Sequence, residues 1–262
     1  MRLRDDVDAQ TPNPMSLMGR RVLVTGASSG IGRATAVLAA ALGADVVLTG
    51  RRADELERTR SGMERPDSHL AVVGDLADAS FADELAAKSV ASGRLDGFVH
   101  AAGACAVVPV GLVNPARLAD SLAVSYGAFM LLMRRLTARN AANPGFSAVA
   151  VSSVSAEAGW PGGSLYSGCK GALNAAVRSM AVELAPKGMR VNAVCPSHVR
   201  TPLFDALTAG ADEASVAALA AKQPLGLGAP EQIASVVCFL LGGASSFVTG
   251  ACIPVDGGYL AQ

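Results

Sequence analysis

A tyrosine and a lysine lie one helical turn apart near the middle of the chain, and a serine precedes the tyrosine by thirteen residues. Tyr166 and Lys170 have the i and i+4 spacing that places two side chains on one face of a helix. Ser153 ends an apolar run, 149–153, that is typical of a buried strand. A phenol, an ammonium group and a hydroxyl at one point can bind and protonate a carbonyl oxygen. These three residues form the candidate catalytic group.

The chemistry of this group depends on the pKa of the phenol. A free tyrosine has a pKa of about 10. A fixed ammonium on Lys170 favours the phenolate, and a cationic nicotinamide ring nearby would favour it further. We therefore expect Tyr166 to act as general acid or base and Ser153 to donate a hydrogen bond to the same oxygen. The alternative is that Tyr166 only packs, because the pattern Y-x-x-x-K is common by chance, so catalysis also requires a hydride donor elsewhere.

Composition limits the class of protein. The chain has 262 residues, of which 51% are hydrophobic and 17% are charged, enough for a substantial core in one large domain or two small ones. The formal net charge is zero, so nothing electrostatic favours nucleic-acid binding. No apolar run reaches the ~18 residues of a membrane span, which predicts a protein without a membrane segment.

The N-terminus and the cysteines predict a cytoplasmic protein. Residues 1–14 include three aspartates and no hydrophobic segment, so we predict a disordered tail there rather than a signal peptide, followed by one domain over 15–262. The five cysteines form no C-x-x-C pair and have no histidine partners at metal-binding spacing. We expect them to be reduced and buried, with no metal site.

A glycine-rich segment directly follows the first predicted strand, 21–25, and leads into a helical stretch that ends near Leu42. Backbone N–H groups at such a helix N-terminus can bind a pyrophosphate. The residues expected to line this site are Gly26, Ser28, Ser29, Gly30, Ile31 and Gly32. Tight turns between strand and helix also use glycine for steric reasons alone, but the position between first strand and first helix favours nucleotide binding.

The second predicted strand, 45–52, ends in Gly50, Arg51 and Arg52. An NAD site usually carries an acidic residue at about this distance from the glycines, whereas an arginine accommodates the 2′-phosphate of NADP. The missing carboxylate therefore predicts NADP(H) as cofactor rather than NAD(H). The alternative is that both arginines only open a solvent-exposed helix.

Strand-like and helix-like segments alternate through the rest of the chain. Further strands are predicted at 69–74, 95–100, 149–153, 191–195 and 252–255, and helices at 79–91, 115–141, 166–185 and 230–241. This alternation predicts an α/β fold of Rossmann type, a doubly wound parallel seven-stranded sheet with helices on both faces in a single domain. The segment 202–228 is predicted to be a lid over the substrate.

In their order and spacing, these motifs resemble those of the short-chain dehydrogenase/reductase family, specifically its 3-oxoacyl-carrier-protein-reductase-like type. The likeness covers 20–260 and rests on Thr25 to Gly32, Asp75-Leu76, Ala102-Gly103, Ser153, Tyr166 with Lys170, Pro196 to Thr201, and Val255 to Gly258. The resemblance implies an NAD(P)-dependent enzyme that uses the tyrosine as general acid or base. Such an enzyme reduces a ketone or oxidises a secondary alcohol by hydride transfer.

The resemblance also implies cofactor contacts. Asp75 is expected to meet the adenine, Thr201 and the Val199 backbone to hold the carboxamide, and Lys170 to contact the nicotinamide ribose. Further cofactor-binding residues implied in this way are Leu76, Ala102, Gly103, Tyr166 and Pro196. The family resemblance implies a homotetramer or homodimer built on the two long helices and the C-terminal strand.

Two departures from the family pattern leave an alternative open. The family usually has Asn-Asn-Ala-Gly after the fourth strand, where this chain has His100 to Gly103, so a side-chain amide is lost. The helix asparagine that many members use to hold a proton-relay water also has no counterpart in 124–127, where Ser125 is the nearest polar candidate. The alternative is a dinucleotide-binding sensor or assembly subunit with weakened turnover, although the candidate catalytic group is intact.

Substrate choice is predicted from the lid and from residues near it. The lid is apolar at Leu203, Phe204, Leu207, Val216 and Leu219, and it carries no cationic cluster. We therefore expect a neutral, hydrophobic carbonyl compound or alcohol. The candidate substrate contacts are Cys105, Ser155, Trp160, His198 and Phe204. The alternatives are that Trp160 only seals the edge of the core and that His198 is simply solvated.

Overall fold

The computed structural model describes residues 13–262. Most of the predicted tail, 1–12, lies outside the described residues. The backbone N–H of Ala244 donates to the carbonyl oxygen of Pro14 over 3.1 Å, and Leu17 is fully buried. The chain therefore packs against the rest of the domain from Pro14 onward.

Seven strands form one sheet in the order β3-β2-β1-β4-β5-β6-β7, and every neighbouring pair is parallel. The strands are β1 (Arg21–Thr25), β2 (Asp45–Gly50), β3 (Leu70–Val73), β4 (Leu95–His100), β5 (Ala142–Val151), β6 (Arg190–Pro196) and β7 (Cys252–Val255). The predicted seven-stranded parallel sheet is confirmed. Because the strand order reverses between β1 and β4, a crevice opens at their carboxyl ends, where such sheets bind ligands.

Nine α-helices are present within residues 13–262. They are α1 (Gly30–Ala41), α2 (Ala53–Ser61), α3 (Ala79–Val90), α4 (Pro115–Leu122), α5 (Ala128–Leu136), α6 (Ser164–Leu184), α7 (Pro202–Leu207), α8 (Glu213–Ala221) and α9 (Pro230–Leu241). The segment 202–228, predicted as a lid, contains α7 and α8, and the chain between them turns at Gly210, whose φ is +85°.

Side chains that alternate along the buried strands build two cores, one on each face of the sheet. Leu23 packs in the core formed with α3, α5 and α6, whereas Val22 and Val24 pack in the core formed with α1, α2 and α9. This alternation follows from the period of two in a strand. Apolar residues on both faces require helices on both faces, as predicted.

The long helical region predicted over 115–141 is present, but it differs from the prediction in two respects. A π-helical segment, Ala123–Gly127, separates α4 from α5, and α5 ends at Leu136. The chain then turns through Asn140, whose φ is +70°, and β5 begins at Ala142. A left-handed backbone cannot continue an α-helix, and asparagine is one of the few residues that adopts it readily.

One helical stretch within residues 13–262, Pro115–Leu136, is long and apolar enough by length and composition alone to cross a membrane. Core helices of water-soluble proteins meet the same criterion. Phe129, Leu132 and Leu136 of this stretch are fully buried in the core against the sheet. The apolar side chains of α5 are therefore used for packing within the domain.

A half-buried arginine at the start of β6 binds the C-terminal end of α9. Arg190 donates to the carbonyl oxygens of Leu240 (2.9 Å), Gly242 (3.3 Å) and Val248 (3.2 Å), and to the hydroxyl of Ser245 (3.0 Å). The last carbonyl groups of a helix have no partner within the helix and carry partial negative charge. The guanidinium group satisfies them and joins α9 to the sheet.

Replacing Arg190 with Met should lower the free energy of unfolding by about 2–4 kcal/mol, because it removes charge-assisted hydrogen bonds to buried carbonyl groups. Urea denaturation followed by circular dichroism measures this change. The matched control is Arg178→Met, since Arg178 is exposed and contacts only the sulfur of Cys252 at 3.7 Å. Equal stability of the two variants would contradict the role given to Arg190.

Candidate active site

The predicted site residues meet in one cavity of about 830 Å³ at the carboxyl ends of the strands. Every residue predicted to contact cofactor or substrate lines it: Gly26, Ser28, Ser29, Gly30, Ile31, Gly32, Arg51, Arg52, Asp75, Leu76, Ala102, Gly103, Cys105, Ser153, Ser155, Trp160, Tyr166, Lys170, Pro196, His198, Val199, Thr201 and Phe204. Residues from six strand ends and from α6 and α7 thus share one space. Their individual roles stay predictions.

The candidate catalytic group lies where β5 ends and α6 begins. Ser153 follows β5, and its hydroxyl oxygen accepts the backbone N–H of Ser155 over 3.1 Å. Tyr166 lies in the first turn of α6, and the ammonium nitrogen of Lys170 lies 5.5 Å from the centroid of its ring. That ammonium donates to the carbonyl oxygen of Val151 over 2.7 Å. Strand and helix therefore position all three polar groups through short local contacts.

The expected lowering of the phenol pKa is wrong in direction. Burial raises the pKa of Tyr166 to about 12, while a hydrogen bond from Ser153 acts in the opposite sense. Burial also lowers the pKa of Lys170 to about 8. Removal from water disfavours the charged form of both groups. The phenol is therefore protonated near neutral pH, as a proton donor must be.

The glycine turn approaches the loop after β4 very closely. A β-carbon on Gly26 would lie 2.8 Å from the backbone nitrogen of Ala102, and one on Gly32 would lie 2.3 Å from the carbonyl oxygen of Gly26. Both positions therefore require glycine. The turn places the N-terminal end of α1 beside the cavity, and Ser29 to Ile31 line the cavity there.

His100 occupies the place where the family usually has an asparagine amide. The imidazole is fully buried, and its Nε2 lies 3.2 Å from the carbonyl oxygen of Val124 and 3.3 Å from that of Ser125. Carbonyl oxygens only accept, so Nε2 carries the proton and Nδ1 accepts the hydroxyl of Thr25 over 3.1 Å. Burial and the Lys170 charge lower the pKa of His100 to about 3, which keeps it neutral. The imidazole thus joins β1 and β4 to the π-helical segment.

Ser125 lies inside that π-helical segment, next to the candidate lysine. Its side chain is fully buried, and its hydroxyl has no hydrogen-bond partner among residues 13–262. A β-carbon on Gly103 would lie 3.5 Å from the ammonium nitrogen of Lys170 and 3.8 Å from the hydroxyl oxygen of Ser125. The glycine therefore leaves space between these two polar groups. The sequence analysis named Ser125 but did not predict the π-helical segment that directs it here.

Two arginines lie at the end of the cavity beyond β2. Arg51 lies 4.0 Å from the Asp75 carboxylate, and Arg52 donates to the carbonyl oxygen of Ser28 over 3.4 Å. A β-carbon at Gly50 would lie 3.1 Å from the hydroxyl oxygen of Ser28, so a larger residue would crowd the glycine turn. This end of the cavity is cationic and leaves little room for an acidic side chain at position 50.

The opposite end of the cavity is formed by the chain after β6. Thr201 caps the N-terminal end of α7: its hydroxyl accepts the backbone N–H of Phe204 over 3.2 Å and donates to the carbonyl oxygen of Val199 over 3.2 Å. Val199 also forms a parallel bridge with Gly228 at the end of the lid segment. The start of the lid is therefore fixed to its own C-terminal end.

Trp160 lines the cavity just before α6, the helix that carries Tyr166. The indole N–H of Trp160 donates to the hydroxyl of Ser155 over 3.1 Å, and the indole packs so closely on Gly163 that a β-carbon there would overlap it at 2.4 Å. Trp160 therefore both packs at the start of α6 and lines the cavity. Burial raises the pKa of Cys105 to about 11, so its thiol is neutral.

Sequence reasoning missed several lining residues. Val107, Lys222 and Tyr259 line the cavity, although none of them was predicted there. Tyr259 follows the glycine pair at the C-terminus, which was read only as a family motif. The other two carried no local signal, because only the packing of the lid and of the loop after β4 brings them to the site.

A family model described as "Enoyl-(Acyl carrier protein) reductase" matches residues 26–260. The chain belongs to the short-chain dehydrogenase/reductase family. It is therefore an NAD(P)-dependent enzyme that interconverts alcohols and carbonyl compounds, and its substrate is a small molecule. The finer assignment to the 3-oxoacyl-carrier-protein-reductase-like type stays a prediction.

Similar proteins of this family cover almost the whole chain. An L-rhamnose 1-dehydrogenase (NAD(P)(+)) of Sphingomonas sp. is 35% identical over 92% of this chain and 96% of its own length. An L-xylulose reductase of Bos taurus is 38% identical over 94% of this chain and 99% of its own length. A solved structure of a provisionally assigned NAD(P)-dependent gluconate 5-dehydrogenase from Beutenbergia cavernae, with bound NADP, superposes with a TM-score of 0.85 at 35% identity, covering 95% and 100% of the two chains.

Replacing Tyr166 with Phe should lower kcat by about 10²- to 10⁴-fold, because the variant lacks the proton donor. Cofactor affinity should change little, since the ring remains. Lys170→Ala should impair both, because the ammonium lies beside the phenol and lines the cavity. Steady-state kinetics and NADPH fluorescence titration separate the two effects. A Phe variant with kcat within fivefold of the wild type would contradict the assignment, because the expected loss of kcat is at least ~100-fold.

Proposed function

We propose that the protein is an NADP(H)-dependent oxidoreductase that reduces a neutral ketone or oxidises the corresponding secondary alcohol, with Tyr166 as general acid or base. The observation that carries this proposal is the meeting of Ser153, Tyr166 and Lys170 at one wall of the cavity whose other wall is the glycine turn. A turnover screen with NADPH and a panel of ketones tests it. NADPH binding without oxidation on any ketone would favour the alternative, a dinucleotide-binding sensor or assembly subunit.

The proposed proton transfer uses hydrogen atoms that are free to be donated. The Ser153 hydroxyl oxygen accepts a backbone N–H, which leaves its own hydrogen available for a substrate carbonyl oxygen. The phenol of Tyr166 is protonated, so it can donate as negative charge develops on that oxygen. When bound, the dinucleotide supplies the hydride. Lys170, held by the Val151 carbonyl group, stabilises the phenolate that remains.

The proton lost by Tyr166 needs a route to be replaced. Lys170 has a pKa of about 8, so it can both give and take a proton near neutral pH. The buried hydroxyl of Ser125 faces the space left by Gly103 beside the lysine. We include Ser125 in the proposed function as the residue that takes the place of the family's helix asparagine in proton replacement.

The proposed preference for NADP(H) rests on the charge at the adenosine end of the cavity. Arg51 and Arg52 line it, and no carboxylate follows β2 directly. Arg52 is held next to the glycine turn, and Arg51 is exposed beside Asp75. We infer that these guanidinium groups bind the 2′-phosphate, because a guanidinium can make a bidentate, charge-assisted contact with a phosphate group.

The proposed substrate is neutral because the substrate side of the cavity is largely apolar. Leu203, Phe204, Leu207 and Leu219 of the lid line it together with Val107 and Trp160. The lid carries a single cation at the cavity, Lys222, among the described residues, which gives no paired clamp for a carboxylate or phosphate group. Two of the relatives described above are named for neutral sugars, L-rhamnose and L-xylulose, whereas the third is named for gluconate, an anion.

Two further proposals concern assembly and location. Leu118 of α4 and Val182 of α6 are exposed, 45% and 79% respectively, on the two long helical regions expected to form the subunit interface. They support a homodimer or homotetramer, which light scattering would measure. All five cysteines are free thiols, which supports the cytoplasm as the location.

Arg51→Ala and Arg52→Ala should each lower the ratio of kcat/KM for NADPH over NADH by about tenfold, because each removes a charge-assisted bond worth about 1.5–3 kcal/mol. The wild type should prefer NADPH by at least tenfold on the same reasoning. Arg58→Ala is the matched control, since Arg58 pairs with Glu55 on α2 and does not line the cavity. Equal kcat/KM for both cofactors in the wild type would show that the arginines are only solvated.

Phe204→Ala and Trp160→Ala should each lower kcat/KM for alicyclic ketones by about 10- to 100-fold, because each loses a large apolar contact in a site that excludes water. Neutral cyclic ketones should be better substrates than small keto acids. Phe247→Ala is the control and should have little effect on kinetics, because Phe247 is fully exposed and does not line the cavity. A screen in which keto acids outperform neutral ketones would contradict the proposed substrate class.

A further inference from the structure

A buried glutamine at the end of the lid binds the loop that follows β6. The side chain of Gln223 is only 3% exposed. Its oxygen accepts the hydroxyl of Ser197 (2.6 Å), the backbone N–H of His198 (2.8 Å) and the ring N–H at Nδ1 of His198 (3.0 Å). Its nitrogen donates to the carbonyl oxygens of His198 (3.1 Å) and Gly226 (2.8 Å). Backbone and side chain of His198 are thus fixed by one amide.

These contacts determine the tautomer of His198. The amide nitrogen of Gln223 faces two carbonyl oxygens, so the amide oxygen must be the atom that faces the imidazole. An amide oxygen only accepts, so Nδ1 of His198 carries the proton. In a neutral imidazole the other nitrogen, Nε2, then presents a lone pair. Nε2 makes no hydrogen bond within residues 13–262.

The neighbours of the imidazole hold it in this orientation at the wall of the cavity. The rings of Phe204 and Tyr259 contact it edge-on, each with a centroid distance of 5.9 Å. All three rings line the cavity. Burial is the main cause that lowers the pKa of His198; the hydrogen bond with Gln223 opposes this shift, and the charge of Lys222 adds to it. The net shift favours the neutral ring.

We propose that His198 is a specificity-determining residue whose Nε2 accepts a hydrogen bond from a hydroxyl group on the substrate, so the substrate is a hydroxylated ketone or a diol. This inference rests on the proposed function, because it concerns the substrate of the same site. The inferred substrate is neutral but carries a hydroxyl group in addition to the reacting carbonyl or alcohol group.

A hydroxyl group fits this part of the cavity better than other hydrogen-bond donors. Lys222 and Tyr259 line the same cavity, and the side chains of both carry hydrogen-bond donors. A hydroxyl group can donate to Nε2 and accept from one of these groups at the same time. An ammonium group could only donate, and Lys222 would repel it.

Matched pairs of ketones test the inference. The wild-type enzyme is assayed with NADPH on cyclohexanone and on its 2-, 3- and 4-hydroxy derivatives. For at least one derivative, kcat/KM should exceed that for cyclohexanone by about tenfold, the effect of one hydrogen bond at a half-buried site. His198→Phe keeps an aromatic ring between Phe204 and Tyr259 but has no acceptor. In this variant the ratio should fall to about one, since the hydrogen bond is lost.

Tyr259→Phe is the comparison variant: it removes a hydroxyl from the same wall but keeps the Nε2 acceptor, so it should lower the preference less than His198→Phe does. Equal kcat/KM within every pair for the wild type would overturn the hydroxyl assignment and leave the proposed function standing. A preference that survives in His198→Phe, or that disappears only in Tyr259→Phe, would also overturn it. Failure to turn over any ketone would instead overturn the proposed function.

A second measurement does not depend on the variant folding. The ¹⁵N resonance of His198 Nε2 in the wild type, with NADP⁺ bound, should shift toward the hydrogen-bonded position when 1,2-cyclohexanediol is added. Cyclohexyl methyl ether, which has no hydrogen-bond donor, is the control ligand. Identical shifts with both ligands would contradict a hydrogen bond from a hydroxyl group.

Discussion

A buried ammonium group beside the carboxyl end of β5 organises the whole candidate site. Lys170 is only 5% exposed and has the Val151 carbonyl oxygen as its hydrogen-bond partner in the fold. A buried cation is costly unless polar groups surround it and neighbouring groups carry no further positive charge. The surroundings meet both conditions. The burial and the nearby ammonium keep His100 neutral, and glycine at position 103 leaves room for a polar contact.

This arrangement also explains how the chain departs from its family without losing the site. The usual amide after β4 is replaced by an imidazole, which still provides a donor and an acceptor. That donor faces two carbonyl oxygens of the π-helical segment, and the acceptor binds Thr25 on β1. Inserting an extra residue into a helical turn reorients the side chains within it, and such segments are frequent at functional sites. His100 and the π-helical segment therefore act together to place Ser125 beside the lysine.

The two histidines of the site show how the same side chain acquires different properties. His100 is fully enclosed, and both ring nitrogens are bonded within the protein, so it is structural. His198 lines the cavity, and within residues 13–262 only one of its ring nitrogens, Nδ1, is hydrogen-bonded. In both cases the tautomer follows from a partner oxygen that can only accept a hydrogen bond. The difference in role arises from burial, which the identity of the residue does not determine.

The sequence by itself determined the fold class, because alternating apolar strands and amphipathic helices leave few other ways to bury the apolar residues. It also predicted the glycine turn and the residues Ser153, Tyr166 and Lys170, since these contacts depend on short spacing within one turn or one strand–helix unit. It failed where long-range packing decides: the break at Ala123–Gly127, the phenol pKa, which burial sets, and the position of Tyr259. Only the tertiary structure fixes the His198 tautomer, because Gln223 is twenty-five residues away and reaches it through the fold of the lid.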